Sequence, residues 1–273
     1  MTEQLPADDL VADSAPFSTG VVDEPEWLPE RSTLESMTRW LRSFVTRAFE
    51  ATPQQAFSWD DQQVVPQPGD QQKTNACVSY ASCLAAASLY RIKTGKPISL
   101  APRVFHACTV GRGLKEGFNS SLLERKVVEH GLPTTVNPEQ TSRAEALTGE
   151  AQCGSFASTP RLKVSSVQRL YSPEEAKAAL RSIGPVVVHM DLTEDFLDCY
   201  VAGSIYSAPP GTKILTSHAV CVIGYDDTRG CWICVNSYGP TWRHTNRGRF
   251  FLKYGECRVL APGAAAYRLN IEV

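Results

Sequence analysis

The stretch Asp70-Gln71-Gln72-Lys73-Thr74-Asn75-Ala76-Cys77-Val78-Ser79-Tyr80-Ala81 changes character at Cys77, from polar and loop-like to a small-residue apolar run that reaches Tyr90. The run from Cys77 to Arg91 is rich in Ala, Leu, Ser and Tyr, holds no Gly or Pro, and is followed by Gly95. That pattern predicts a buried helix that starts at Cys77 and stops at Gly95. At a helix start the unpaired backbone N–H groups and the positive end of the macrodipole favour a thiolate, the nucleophilic form of cysteine. Most cysteines in soluble proteins are small buried hydrophobes, so Cys77 needs partners before it counts as a nucleophile.

Two further stretches supply candidates. Ser217-His218-Ala219-Val220-Cys221-Val222-Ile223-Gly224-Tyr225-Asp226 is an apolar, β-branched run ended by Gly and acids. It predicts a buried strand over Ala219 to Ile223 with His218 at its entrance. A second strand, Cys231 to Val235, runs into Asn236-Ser237-Tyr238-Gly239, with Trp242 just beyond. A Cys, a His and an Asn in this order suit nucleophilic acyl transfer: thiolate, proton acceptor, and an amide carbonyl that fixes the imidazole tautomer.

These segments resemble the papain family of cysteine peptidases. In that family a Gln precedes the nucleophile by six residues, as Gln71 precedes Cys77, and His-Ala-Val opens a strand closing at Gly-Tyr. His218 lies 141 residues after Cys77, within the roughly 130–150 expected; Asn236 follows at 159, where the Asn-Ser-aromatic-Gly text carries the match. The resemblance implies Cys77 as nucleophile, His218 as base, Asn236 as orienter and Gln71 as oxyanion donor together with the Cys77 N–H. It also implies an α+β, two-lobed fold, with a helical lobe carrying Cys77 and a β-rich lobe carrying His218 and Asn236. Gly117, in Glu116-Gly117-Phe118, takes the place of a cleft glycine whose backbone pairs with an extended substrate. His189, Thr216, Ser217 and Trp242 take positions that contact substrate, making the specificity pocket more polar than usual.

The pattern also departs from the family. Thr74 stands where a Cys is usual, so the disulfide expected between that position and Cys108 is ruled out. Val78 replaces a Trp, Tyr238 replaces the Trp that shields the His–Asn bond, and Arg243 stands where Gly is usual. These changes leave the triad and alter the cleft.

The chain has 273 residues, 42% apolar residues and a formal net charge of −2. That supports a substantial core and argues for no nucleic-acid partner, and no stretch approaches a membrane span. Residues 1–30 are acidic and aperiodic and predict disorder. Residues 31–56 carry an amphipathic helix over 32–49: Ser32 and Glu35 form a capping box, and Leu34, Met37, Leu41, Phe44, Val45 and Phe49 recur at helical spacing. Its expected role is packing on the catalytic domain, 57–273; the other options are blocking the cleft as a propeptide would, or docking on a protein partner or a membrane surface. The start of the chain lacks the apolar core of a signal peptide, and the nine cysteines are an odd number. With the expected disulfide lost, this predicts a reducing, cytoplasmic setting, unless a signal-less system exports the protein. Cys231 and Cys234 lie in an apolar strand without a second pair, so neither zinc nor redox chemistry is expected, and no cofactor is needed. The expected activity is peptide-bond hydrolysis on a peptide or protein substrate. Transfer to an amine or carbon acceptor, as in a transpeptidase or cyclase, uses the same triad, and a silent peptide-binding module is the non-enzymatic option.

Overall fold

In the computed structural model, residues 54–110, 117, 120–135, 159–261 and 263–273 are described. The calls on residues 1–30, on the helix at 32–49 and on Glu116 and Phe118 lie outside them. Helix α1, Cys77–Thr94, begins at the predicted residue and ends at Gly95, whose N–H donates to the Arg91 carbonyl from a left-handed conformation. Every residue from Cys77 to Leu89 is buried. A helix apolar on all sides belongs in a molecular centre, and its many Ala and Ser residues let neighbours approach closely. Two of its buried hydroxyls are bonded, Ser88 donating to the Leu84 carbonyl and Ser79 bonding His106 across to helix α2, Pro102–Val110, whereas Ser82 Oγ has no hydrogen-bond partner among the described residues.

Helix α3, Ser120–His130, is followed by a short hairpin, β2 (Leu132–Pro133) against β3 (Arg161–Leu162). Helix α4, Pro173–Ser182, is capped by Ser172, whose hydroxyl accepts from the Glu175 N–H. A short helix α5, Glu194–Cys199, follows the strand Val186–Thr193.

The remaining strands build one eight-stranded sheet. These are β1 (Ala56–Ser58), β4 (Val164–Arg169), β5 (Val186–Thr193), β6 (Ile205–Tyr206), β7 (Ile214–Asp226), β8 (Cys231–Val235), β9 (Arg249–Lys253) and β10 (Ala266–Ile271). Their order is β4-β10-β5-β7-β8-β9-β6, with β1 pairing β7; only β6 and β9 run parallel. Helix-rich sequence first and an antiparallel sheet after it make the α+β arrangement expected from the sequence. Strand β7 is longer than predicted, because Thr216 and Ser217 pair with Leu192 and Asp191 of β5 despite being polar. His218 therefore sits inside the strand rather than at its entrance.

Helix α1 packs on β7, β5 and β10, which brings Cys77 to the sheet. On β7, Gly224 is required by a close crossing: a Cβ there would lie 2.2 Å from the carbonyl oxygen of Phe57 in β1. The ladder between β7 and β8 slips at the same place, between Val222 and Gly224.

Candidate active site

Gln71, Cys77 and His218 are fully buried and Asn236 nearly so. Each is placed by a different element. Cys77 is the first residue of α1, and the first intrahelical bond runs from the Tyr80 N–H to the Ala76 carbonyl, so the helix does not consume the Cys77 N–H. His218 lies in β7. Asn236 directly follows β8, its N–H donating to the Gly248 carbonyl.

The protonation pattern of His218 follows from one backbone donor. The Ser237 N–H donates to Asn236 Oδ1 at 2.8 Å, which fixes that atom as oxygen. The same oxygen lies 2.9 Å from His218 Nε2, which must then be the donor. The neutral ring therefore carries its proton on Nε2 and leaves Nδ1 as a lone-pair acceptor. Nδ1 is buried and has no hydrogen-bond partner among the described residues. Burial pushes the His218 imidazole down to about 4 from its usual 6.5, with the Asn236 bond working in the opposite direction. A lone imidazolium at this place is disfavoured, so charge on His218 requires an anion beside it.

The ring of Tyr238 stacks on His218, with centroids 5.0 Å apart and planes 18° apart. It covers the His–Asn bond with an aromatic face in place of the expected Trp. Burial, and then the nearness of Cys77, raise the Tyr238 phenol well above its usual value.

Gln71 is oriented from two sides. Its Nε2 donates to the Thr74 carbonyl at 2.8 Å, and its Oε1 accepts from the Ser237 hydroxyl at 2.5 Å. A carbonyl at one end and a hydroxyl at the other leave only one amide orientation, with N–H groups toward the turn that leads to Cys77. The backbone supports the same geometry: the Gln71 N–H donates to the Ser237 carbonyl, and Asp70 and Tyr238 form a β-bridge. Ser237, which the sequence reading did not single out, therefore joins the Asn236 loop to the Gln71 loop. Its position between Asn236 and Tyr238 was the available signal.

The remaining site calls fare differently. Thr216 and Ser217 are half-buried on β7, and Gly117 is partly exposed. His189 is largely buried; its Nε2 lies 2.8 Å from the Tyr267 hydroxyl, and its cross-strand partner is Ala219. It thus pairs with β10. Trp242 is 6% exposed and is stacked on Tyr200, with Phe196, Tyr238 and Phe250 around it. It packs against Tyr238 within this aromatic group.

Cysteine usage also needs correction. Cys108 is disulfide-bonded, although no cysteine stands at position 74. The loss of one family disulfide therefore does not leave the chain without disulfides, and that support for a reducing compartment falls away. Cys77, Cys83, Cys199, Cys221, Cys231, Cys234 and Cys257 form no disulfide. Cys231 and Cys234 stand three apart in β8, a separation that directs them to opposite faces. Burial pushes the Cys234 thiol well up.

Comparison with known proteins fits this geometry. The family model for papain family cysteine proteases matches residues 53–261. Fruit bromelain from Ananas comosus is 29% identical over 203 residues, covering 73% of this chain and 55% of that protein. The structure of the bromelain protease from Ananas comosus in complex with the E64 inhibitor superposes with a TM-score of 0.63 at 20% identity, covering 80% of this chain and all of that one. The proCathepsin B S9 structure from Trypanosoma congolense superposes with a TM-score of 0.68 at 17% identity, covering 94% and 87%. The chain spans about half the length of the curated relatives it matches. With a buried Cys, His and Asn placed by α1, β7 and β8, and a family match over most of its length, the chain belongs to the papain family of cysteine proteases.

Proposed function

We propose that this chain is a cysteine peptidase that cleaves peptide bonds through a thioester on Cys77. The observation that carries this is the bare Nδ1 of His218, left as an acceptor because Asn236 takes the other ring proton. Cys77 Sγ attacks the substrate carbonyl carbon while its proton passes to His218 Nδ1. Because a lone imidazolium is disfavoured here, the proton moves as the thiolate charge forms beside it. The carbonyl oxygen becomes an oxyanion, which accepts from the Cys77 N–H and the Gln71 side-chain amide. Collapse of the tetrahedral intermediate breaks the C–N bond, and His218 returns the proton to the leaving amine. Water then attacks the thioester with His218 as base, releasing a carboxylic acid and the Cys77 thiol.

The test is cleavage of a proteome-derived peptide library, read by mass spectrometry, for wild type and Cys77→Ala. Cleavage by wild type alone supports the reading; equal cleavage by the Cys77→Ala protein overturns it.

A further inference from the structure

We propose that Tyr80 and Arg103 are positioning residues for the oxyanion donor Gln71, acting through the main-chain carbonyl of Asp70; this rests on the peptidase reading above. Tyr80 lies three residues after Cys77 on α1, and Arg103 lies in the first turn of α2. Both are buried, at 8% and 4% exposure. The Tyr80 hydroxyl donates to the Asp70 carbonyl at 3.0 Å, and Arg103 Nη2 donates to the same oxygen at 3.2 Å. Arg103 Nε donates to the Tyr80 hydroxyl at 2.9 Å, closing a three-membered clasp. The clasped carbonyl belongs to the peptide that leads directly into Gln71.

The loop needs such a clasp because of what lies beneath it. A cavity of about 550 Å³ has Gly69, Asp70 and Gln72 in its wall, together with Tyr80, Leu84 and Arg103. On that side the loop is packed by the Tyr80 ring against Gly69, and the cavity borders the rest. Its front is held by Ser237 and its rear by polar bonds to one carbonyl. The ring of Tyr80 reaches its place only because residue 69 is glycine: a Cβ at Gly69 would lie 2.5 Å from Tyr80 Cε1. The same helix thus fixes the nucleophile and the loop that stabilises the charge the nucleophile creates. A displacement near 1 Å at such a donor is enough to cost about 10²-fold in rate.

The test compares wild type, Tyr80→Phe, Arg103→Gln and Arg103→Lys. One readout is kcat and KM on the best-cleaved library peptide. The other is the rate of Cys77 alkylation by iodoacetamide, a displacement at carbon that forms no oxyanion. The expected result is a kcat lowered about tenfold in Tyr80→Phe and Arg103→Gln, with KM and the alkylation rate within about twofold of wild type. Arg103→Lys, which keeps a donor, recovers part of the loss. Wild-type kcat in both Tyr80→Phe and Arg103→Gln overturns the proposal alone. Alkylation slowed in parallel with kcat also overturns it, because the two residues then support the helix rather than the oxyanion donor. A wild-type protein that is alkylated at Cys77 yet cleaves nothing in the library overturns the peptidase reading and this proposal with it.

Discussion

At the residue scale, His218 is the group whose environment decides most. Its folded value near 4 lies below the usual 6.5 that it takes in an unfolded chain. The unfolded chain therefore binds the proton first as pH falls, and stability drops between about 6.5 and about 4. In a Cys77→Ala protein, where no thiolate can pair with the ring, this amounts to about 3 kcal/mol at the acid end. Urea unfolding at a series of pH values checks it, and a His218→Phe change in the same background is expected to remove that slope. With Cys77 present, NMR of labelled histidine is expected to show a higher His218 value than in Cys77→Ala, since the thiolate stabilises the imidazolium. Ser237 acts on the other half of the site. Ser237→Ala removes one of the two bonds that orient the Gln71 amide and is expected to lower kcat up to about tenfold with KM little changed, as steady-state kinetics would read.

At the scale of elements, β7 carries the site and Gly224 shapes it. The carbonyl of Phe57 occupies the space where a side chain would be, and the rigid backbone on both sides leaves little room to relax. Gly224→Ala is expected to destabilise the protein by about 2 kcal/mol or more, as a lowered thermal midpoint would show, with β1 displaced from β7. Helix α1 was legible from residue types, start and stop included, because a long run without Gly or Pro ended by Gly has few other solutions. Strand β10 was not identified, although Ala266–Ile271 alternates largely between buried and half-buried positions. The strand β7 was read too short because Thr216 and Ser217 are polar; pairing with β5 outweighs that local signal.

At the scale of the whole molecule, the segment leading to Gln71 is strapped to the sheet by side chains far away in sequence. Arg249, buried on β9, forms a two-pronged ion pair with Asp60, and Arg247 donates to the Val65 carbonyl. Asp60→Asn leaves the Arg249 charge buried without its counter-ion. Because Asp60 itself is partly exposed, the expected loss is about 2 kcal/mol rather than the full cost of a broken buried pair. Denaturant unfolding would measure it, and a loss below a few tenths of a kcal/mol would show that the strap is held by its other contacts. The sequence by itself determined the helix that starts at Cys77, the strand bearing His218 and the strand leading to Asn236, because these are written in local residue pattern. Tertiary structure alone decided which imidazole nitrogen is bare, that Ser237 aims Gln71, that Trp242 is core, and that Cys108 is bonded. The physical reason is distance along the chain. Gln71 meets Ser237 across 166 residues and His189 meets Tyr267 across 78, so no local pattern records either partner.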